Sequence, residues 1–122
     1  MSAACLMAGA LLLALPEDGR FQLAWVHSVE RTEWREDWRL VSGGMVLETA
    51  AVRGSGAGME PGPDARLVGG WLVWHPQVAP VSSLAMAASG MTASGWQICA
   101  GGACHLLGET AGAAIILRPC GP

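Results

Sequence analysis

Glycine and proline interrupt this chain about every eight to twelve residues, and this spacing constrains the fold more than any other feature. The apolar segments between them are about four to eight residues long, which is typical of strands and too short for most helices. With 52% hydrophobic and 14% charged residues, the chain can bury a core of its own. We therefore predict one all-β domain over residues 1–122, a small antiparallel sandwich or barrel of about eight short strands.

The predicted strands lie between these interruptions. They are Phe21–Val29, Trp34–Val41, Met45–Val52, Gly70–Trp74, Ser83–Ala87, Trp96–Cys99, Cys104–Leu107 and Ala114–Leu117. The apolar N-terminal run adds two shorter strands, Ala4–Ala8 and Ala10–Leu15, which turn at Gly9. This run is shorter than the roughly 20 apolar residues that cross a bilayer, and no basic residue precedes Arg20 as a secretion signal requires. We expect no membrane span in this chain.

Apolar and polar side chains alternate along residues 21–29 and 34–40, which predicts a hairpin with its turn at residues 30–33. A helix over Glu30–Trp38 is the competing interpretation, and it explains the alternation less well. The predicted register on the apolar face pairs Val29 with Trp34, His27 with Glu36, Trp25 with Trp38 and Leu23 with Leu40. On the other face it sets Ser28 beside Arg35, Val26 beside Asp37 and Ala24 beside Arg39.

The predicted His27–Glu36 pair is the strongest candidate for chemistry, because tryptophans frame it. A carboxylate favours the charged imidazole while burial disfavours it, so such a pair can act as a general base, a metal ligand or a pH switch. It can equally be a hydrogen-bonded pair that locks the hairpin. Ser28 would point to the opposite face from His27, and Ser55 lacks the Gly-x-Ser-x-Gly arrangement of a nucleophile elbow. We therefore assign no catalytic residue.

A glycine-rich segment follows Arg53 and is the second candidate site. Its alternating glycines allow backbone N–H groups to approach an anion or a partner, whereas Pro61 and Pro63 exclude the helix that a dinucleotide site needs. A loop that packs against the hairpin is the alternative. The candidate ligand- or partner-binding residues are His27, Ser28, Glu30, Glu36, Ser55, Gly56, Ala57, Gly58, Met59 and Glu60.

Four cysteines allow three pairings. Cys99 and Cys104 flank a turn-prone segment that would bring their sulfurs together, and Cys5 and Cys120 would then join the chain ends. Such pairing suits an oxidising compartment, and four buried thiols in a cytosolic protein are the alternative. The spacing does not fit c-type haem, and it indicates zinc only weakly because paired two-residue spacings are missing. Dispersed arginines and a net charge of −3 disfavour nucleic acid as a partner. We expect no metal and no cofactor.

Three segments together resemble a known family. Residues 21–30 (FQLAWVHSVE), 34–36 (WRE) and 54–61 (GSGAGMEP) are similar to the small bacterial family named domain of unknown function 1850, and the resemblance extends from Cys5 to Cys120. Genes of similar proteins often lie beside tripartite ATP-independent periplasmic transporters that use a TAXI solute-binding protein. The family has no established catalytic residues, so none is transferred. Related chains often carry a membrane-anchoring N-terminal segment, which this chain does not.

The resemblance implies a non-enzymatic accessory or binding domain that works outside the cytoplasm with a TAXI-type transporter. Its expected partners are transporter subunits or a solute-binding protein. A periplasmic location agrees with the cysteine pattern, although a cytoplasmic one stays open because no signal is visible in this chain. The alternative function is a metal- or carboxylate-dependent enzyme that uses His27 and Glu36.

Overall fold

The computed structural model describes residues 4–26, 32–42, 44–53, 63–86, 95–108 and 112–120. The regular elements in these ranges are all strands, which confirms the predicted fold class. In chain order they are β1 (Cys5–Ala8), β2 (Leu11–Ala14), β3 (Arg20–Val26), β4 (Glu33–Val41), β5 (Gly44–Arg53), β6 (Arg66–Val68), β7 (Trp71–Trp74), β8 (Leu84–Met86), β9 (Trp96–Ala100), β10 (Ala103–Leu107) and β11 (Ile115–Pro119). The turn between β1 and β2 contains Gly9, as predicted, with a φ of 61° that favours glycine.

These strands form two antiparallel sheets. The smaller sheet has the order β2–β1–β11–β8, and the larger sheet has the order β10–β9–β3–β4–β5–β7–β6. Within the described ranges the sheets do not close into a barrel, so the sandwich is the correct one of the two predicted architectures. The sequence does not predict β6, because all three of its residues are exposed and carry no alternating pattern.

The hydrophobic core lies between the two sheets. Leu6 and Leu117 come from the smaller sheet, and Leu23, Met45 and Ile98 come from the larger one; each is at most 2% exposed. Alternate residues of each strand point away from this layer, as strand geometry requires. Burying a side chain of this size stabilises a fold by about 1.5–3 kcal/mol, so the five together dominate the contact between the sheets.

A β-bulge interrupts the pairing of β4 with β5. Asp37 pairs with Thr49, whereas the next residue, Trp38, pairs with Leu47, which leaves Glu48 as the extra residue of β5. Leu47 packs against the core, and Ala50 is buried on the same face, although their odd separation would otherwise put them on opposite faces. The bulge therefore keeps both halves of β5 in register with the core.

The first half of β5 also contacts the segment that leads into the smaller sheet. The backbone N–H of Met45 donates to the carbonyl of Val81 over 2.8 Å, and the N–H of Val81 donates back over 2.9 Å. Gly44 lies against this bridge so closely that a Cβ atom there would be 2.6 Å from the Val81 carbonyl oxygen. The absence of a side chain at position 44 therefore permits the close approach.

Two disulfides are present, with the predicted pairing. Cys5 of β1 is bonded to Cys120, which follows β11, and their Cα atoms are 5.5 Å apart. Cys99 and Cys104 are direct cross-strand partners on β9 and β10, with Cα atoms 4.1 Å apart. The first disulfide joins the two ends of the chain beside the central pair of the smaller sheet, and the second closes one hairpin of the larger sheet.

We expect Gly44→Ala to destabilise the protein by about 1–3 kcal/mol, because the new methyl group would overlap the Val81 carbonyl. The matched control is Gly112→Ala, where a Cβ meets no atom within 4 Å and the change should be within about 0.5 kcal/mol. Urea unfolding of both variants measures the difference. Equal stabilities would contradict the role assigned to Gly44.

The two disulfides should contribute unequally to stability. In the chain-entropy model, a bond across a separation of 115 residues stabilises by about 4–5 kcal/mol and one across 5 residues by about 2 kcal/mol. Cys5→Ala with Cys120→Ala should therefore lower the free energy of unfolding more than Cys99→Ala with Cys104→Ala. Denaturant unfolding without reductant compares the two double variants, and the reverse order would refute the expectation.

Candidate functional site

Three tryptophans form a row across the inner face of the larger sheet. They are Trp96 of β9, Trp25 of β3 and Trp34 of β4, which are cross-strand partners in the same register row. The ring centroids of Trp25 and Trp34 are 5.9 Å apart in a stacked arrangement, and those of Trp25 and Trp96 are 4.8 Å apart in a tilted one. All three are half-buried. The sequence correctly placed Trp25, Trp34 and Trp38 on one face, and the fold adds Trp96.

The predicted register of the β3–β4 hairpin is wrong. Trp25 pairs with Trp34, Leu23 with Glu36 and Phe21 with Trp38, so each residue of β4 is paired four positions earlier along β3 than predicted. On the outer face, Ala24 pairs with Arg35 and Gln22 with Asp37, which replaces the predicted neighbours. The strand interpretation of this segment is confirmed, and the helix alternative is excluded.

Aromatic stacking explains the observed register. It brings Trp25 over Trp34 and sets Phe21 against Trp38 at 6.4 Å between ring centroids. Stacked aromatic pairs add about 0.5–1.5 kcal/mol beyond the area that they bury. Because the observed register differs from the predicted one by an even number of residues, every side chain stays on its predicted face. The prediction that Glu36 lies opposite His27 fails, since Leu23 occupies that position.

Glu36 lies on the inner face, one register row behind the tryptophans. It is half-buried between its cross-strand partners Leu23 and Ala50, and its Oε1 accepts a hydrogen bond of 3.0 Å from the indole Nε1 of Trp38. Burial raises the pKa of the Glu36 carboxyl above its usual value, and the bond from Trp38 opposes this shift. Glu36 is therefore a carboxyl held in apolar surroundings by a single indole donor.

The other predicted site residues lie outside the described residues: His27, Ser28, Glu30, Ser55, Gly56, Ala57, Gly58, Met59 and Glu60. The strands that lead to them are described. Val26, the last residue of β3, pairs with Glu33, the first residue of β4. Arg53, the last residue of β5, follows Val52, which pairs with Trp34. The three strands therefore reach the same end of the larger sheet, beside the tryptophan row.

The outer face of the larger sheet carries a polar groove of about 530 Å³ that reaches Cys99. Its charged side chains contact one another, neighbouring arginines or Gln22. Glu48, the bulge residue, accepts from the Arg39 Nε at 2.9 Å and lies 3.6 Å from the Arg20 Nε. Gln22 donates to Asp37 over 2.9 Å. These contacts tie β3, β4 and β5 together on the face opposite the core, so the groove contains mostly side chains that already have partners.

A second cluster on the outer face surrounds Trp71 of β7. The Arg35 guanidinium lies 4.3 Å from the centroid of the Trp71 ring, and the Arg53 guanidinium lies 5.5 Å from it. Sequence reasoning placed Arg35 on the polar face but did not connect it with Trp71. The strand order brings them together, because β5 lies between β4 and β7.

His75 is an exposed residue that directly follows β7 and forms hydrogen bonds to Asp64. Its Nδ1 lies 2.9 Å from Asp64 Oδ2, and its backbone N–H donates to the same oxygen over 3.0 Å. The hydrogen bond with the His75 side chain lowers the pKa of the exposed Asp64 carboxyl below its usual value. Asp64 precedes β6 and His75 follows β7, so this contact closes the open end of that hairpin.

In the ranges given above, no three or more histidine, cysteine, aspartate or glutamate side chains are grouped so that they could hold a metal ion. The part of the chain that the structure describes also has no helix long and apolar enough to cross a membrane.

The fold and these surfaces define a small, disulfide-linked β-sandwich with an aromatic inner row and a charged outer face. The family model described as "Domain of unknown function (DUF1850)" matches residues 21–107, from β3 to β10, and the chain belongs to this family. The match contains nearly all of the larger sheet and leaves β1, β2 and β11 of the smaller sheet outside. Comparisons with curated proteins and with solved structures gave no match.

The raised pKa of Glu36 should make stability depend on pH. Folded Glu36 holds its proton to a higher pH than the unfolded chain does, so the free energy of unfolding falls as pH rises from the usual glutamate pKa through the folded one. Glu36→Gln keeps an acceptor for Trp38 and should be more stable than the wild type at neutral pH, with no difference below about pH 4.

Urea unfolding at several pH values, analysed as the difference between variant and wild type, measures this effect. Glu17→Gln is the matched control because Glu17 is exposed in a turn, and it should leave the pH dependence unchanged. An identical pH dependence for Glu36→Gln and the wild type would contradict the assignment.

Proposed function

We propose that this chain is a non-enzymatic extracytoplasmic binding domain that serves as an accessory to a TAXI-type solute transporter. Its binding surface comprises residues 27–30 and 55–60, which follow β3 and β5 along the chain. The partner is a transporter subunit or the solute-binding protein. Family membership carries no activity by itself, so this assignment rests on the arrangement of strands and cysteines together with the expected transporter association.

The observation that supports the binding surface most directly is the shared position of three strand ends. Val26, Glu33 and Arg53 lie at one end of the sheet, so the two segments that the sequence singled out both begin there. Residues on separate connections can then contribute to one surface. Rigid strands that carry functional loops are a common arrangement in binding domains.

The disulfides support an extracytoplasmic location. Both pairs of cysteines are bonded, and one bond joins β1 to the end of β11. Disulfides persist in oxidising compartments, and the cytosol keeps thiols reduced. A domain of this size also gains much of its stability from such bonds, which makes an oxidising compartment the environment in which it folds best.

A binding role agrees better with the hairpin register than the enzyme alternative does. That alternative required Glu36 beside His27, whereas Glu36 lies opposite Leu23 and accepts from Trp38. Glu36 therefore has a structural partner of its own. The remaining hairpin candidates, His27, Ser28 and Glu30, stay candidates for contact with a partner.

Co-purification from a host that expresses the neighbouring transporter genes tests the proposal. The wild-type chain should recover a transporter subunit or the solute-binding protein, and His27→Ala should reduce that recovery at least tenfold, as loss of a central interface contact does. His75→Ala is the matched control, because His75 is an exposed histidine that is not among the residues of the proposed surface.

Thermal unfolding of each variant separates loss of binding from loss of folding. The proposal fails if the wild-type chain recovers no transporter component. It also fails if folded His27→Ala and His75→Ala recover the partner equally well.

A further inference from the structure

Trp71, on the outer face of the larger sheet, lies beside two positively charged side chains. Two guanidinium groups, those of Arg35 and Arg53, lie against a single indole ring at 4.3 and 5.5 Å. Arg66 of β6 lies on the same face, because its cross-strand partner Val73 is two residues from Trp71. Three positive side chains, one each from β4, β5 and β6, therefore lie on the same face of the larger sheet.

Arg35, Arg53 and Arg66 differ in their charged contacts from Arg20 and Arg39 on the same face. Arg20 and Arg39 contact Glu48, whereas Arg35, Arg53 and Arg66 form no ion pair with any residue of the described ranges. Arginine stays charged throughout the physiological pH range, and like charges on adjacent strands repel. An anion at this position would relieve the repulsion. This excess of positive charge is confined to one part of the surface, since the whole chain has a net charge of −3.

A groove of about 210 Å³ adjoins the cluster and gives an anion somewhere to bind. Arg35 and Trp71 line one side, Gln97 of β9 lines the other, and Ala24 of β3 forms a low floor between them. Glu33 lies at the end of the groove. The lining therefore combines a guanidinium, an indole and a methyl group, which together match a carboxylate joined to an apolar body.

We propose that this groove binds a small organic acid, with its carboxylate on Arg35 and its apolar body against Trp71 and Ala24. Stacking on Trp71 leaves the N–H edge of a guanidinium available for a bidentate contact with a carboxylate. Arg53, whose guanidinium lies 5.5 Å from the centroid of the same indole, adds positive potential. This site is on the outer face of the sheet and goes beyond the proposed transporter association, which concerns residues 27–30 and 55–60.

Fluorine NMR of protein labelled with 5-fluorotryptophan tests the site with benzoate as the probe. The chain has six tryptophans, and Trp71→Phe identifies the resonance of Trp71 by its loss. Titration with benzoate should shift that resonance saturably, with a dissociation constant in the millimolar range or tighter. Benzamide, which has the same ring without the charge, should bind at least tenfold more weakly.

Four variants make the test specific. Arg35→Gln should weaken benzoate binding about tenfold. Arg35→Lys should weaken it less, because lysine keeps the positive charge but lacks the paired N–H donors of a guanidinium. Glu33→Gln should tighten binding about threefold, since it removes a negative charge from the end of the groove. Arg118→Gln, an exposed arginine of β11 on the other sheet, is the control and should have no effect.

Three outcomes would overturn the proposal. One is the absence of a saturable shift of Trp71 up to about 50 mM benzoate. Another is equal affinity for inorganic phosphate and benzoate, which would indicate a simple charge site without an organic body. The third is that Arg35→Gln and Arg118→Gln reduce the affinity for benzoate equally, in variants whose fluorine spectra are otherwise like that of the wild type. None of these results bears on co-purification with the transporter.

Discussion

The apolar contact between the two sheets is the interaction on which the rest of this structure depends. Leu6 and Leu117 on one side and Leu23, Met45 and Ile98 on the other are almost fully removed from water. Since strand side chains alternate, this single requirement decides which residues of every strand face inward. It also accounts for the bulge at Glu48, without which the two halves of β5 would present opposite faces to the core. The charged outer face follows from the same alternation.

Glu36 is the exception to this pattern, because it is a carboxyl on the apolar face. The fold tolerates it through the indole bond from Trp38, which compensates part of its desolvation. The tryptophan row begins immediately beyond it and reaches the end of the sheet where β3, β4 and β5 meet. Trp25 and Trp96 of this row also pack against the core, so the row continues the apolar layer between the sheets toward that end.

Much of the fold could be predicted from the sequence, and the errors have definite physical causes. Turn residues and alternation indicated most strand positions and faces, and the turn between Cys99 and Cys104 favoured one of the three cysteine pairings, which the structure then decided. The register of β3 with β4 could not be found, because a slip of an even number of residues leaves every face unchanged. The stacked pairs Trp25–Trp34 and Phe21–Trp38 distinguish the observed register from the predicted one. Strand β6 carries no pattern to detect. Of the predicted site residues, Glu36 keeps its inward face but has Leu23 and Trp38 as neighbours in place of His27.

The sequence by itself determined the all-β class and the alternation of faces, since both depend on local spacing along the chain. The tertiary structure alone decided the sandwich over the barrel, the hairpin register and the meeting of Arg35, Arg53 and Trp71. Those features depend on which strands become neighbours, and β7 lies beside β5 although β6 and a long connection separate them in sequence. Strand order is set by how the whole apolar surface is best buried, which is a property of the complete fold and not of any one segment.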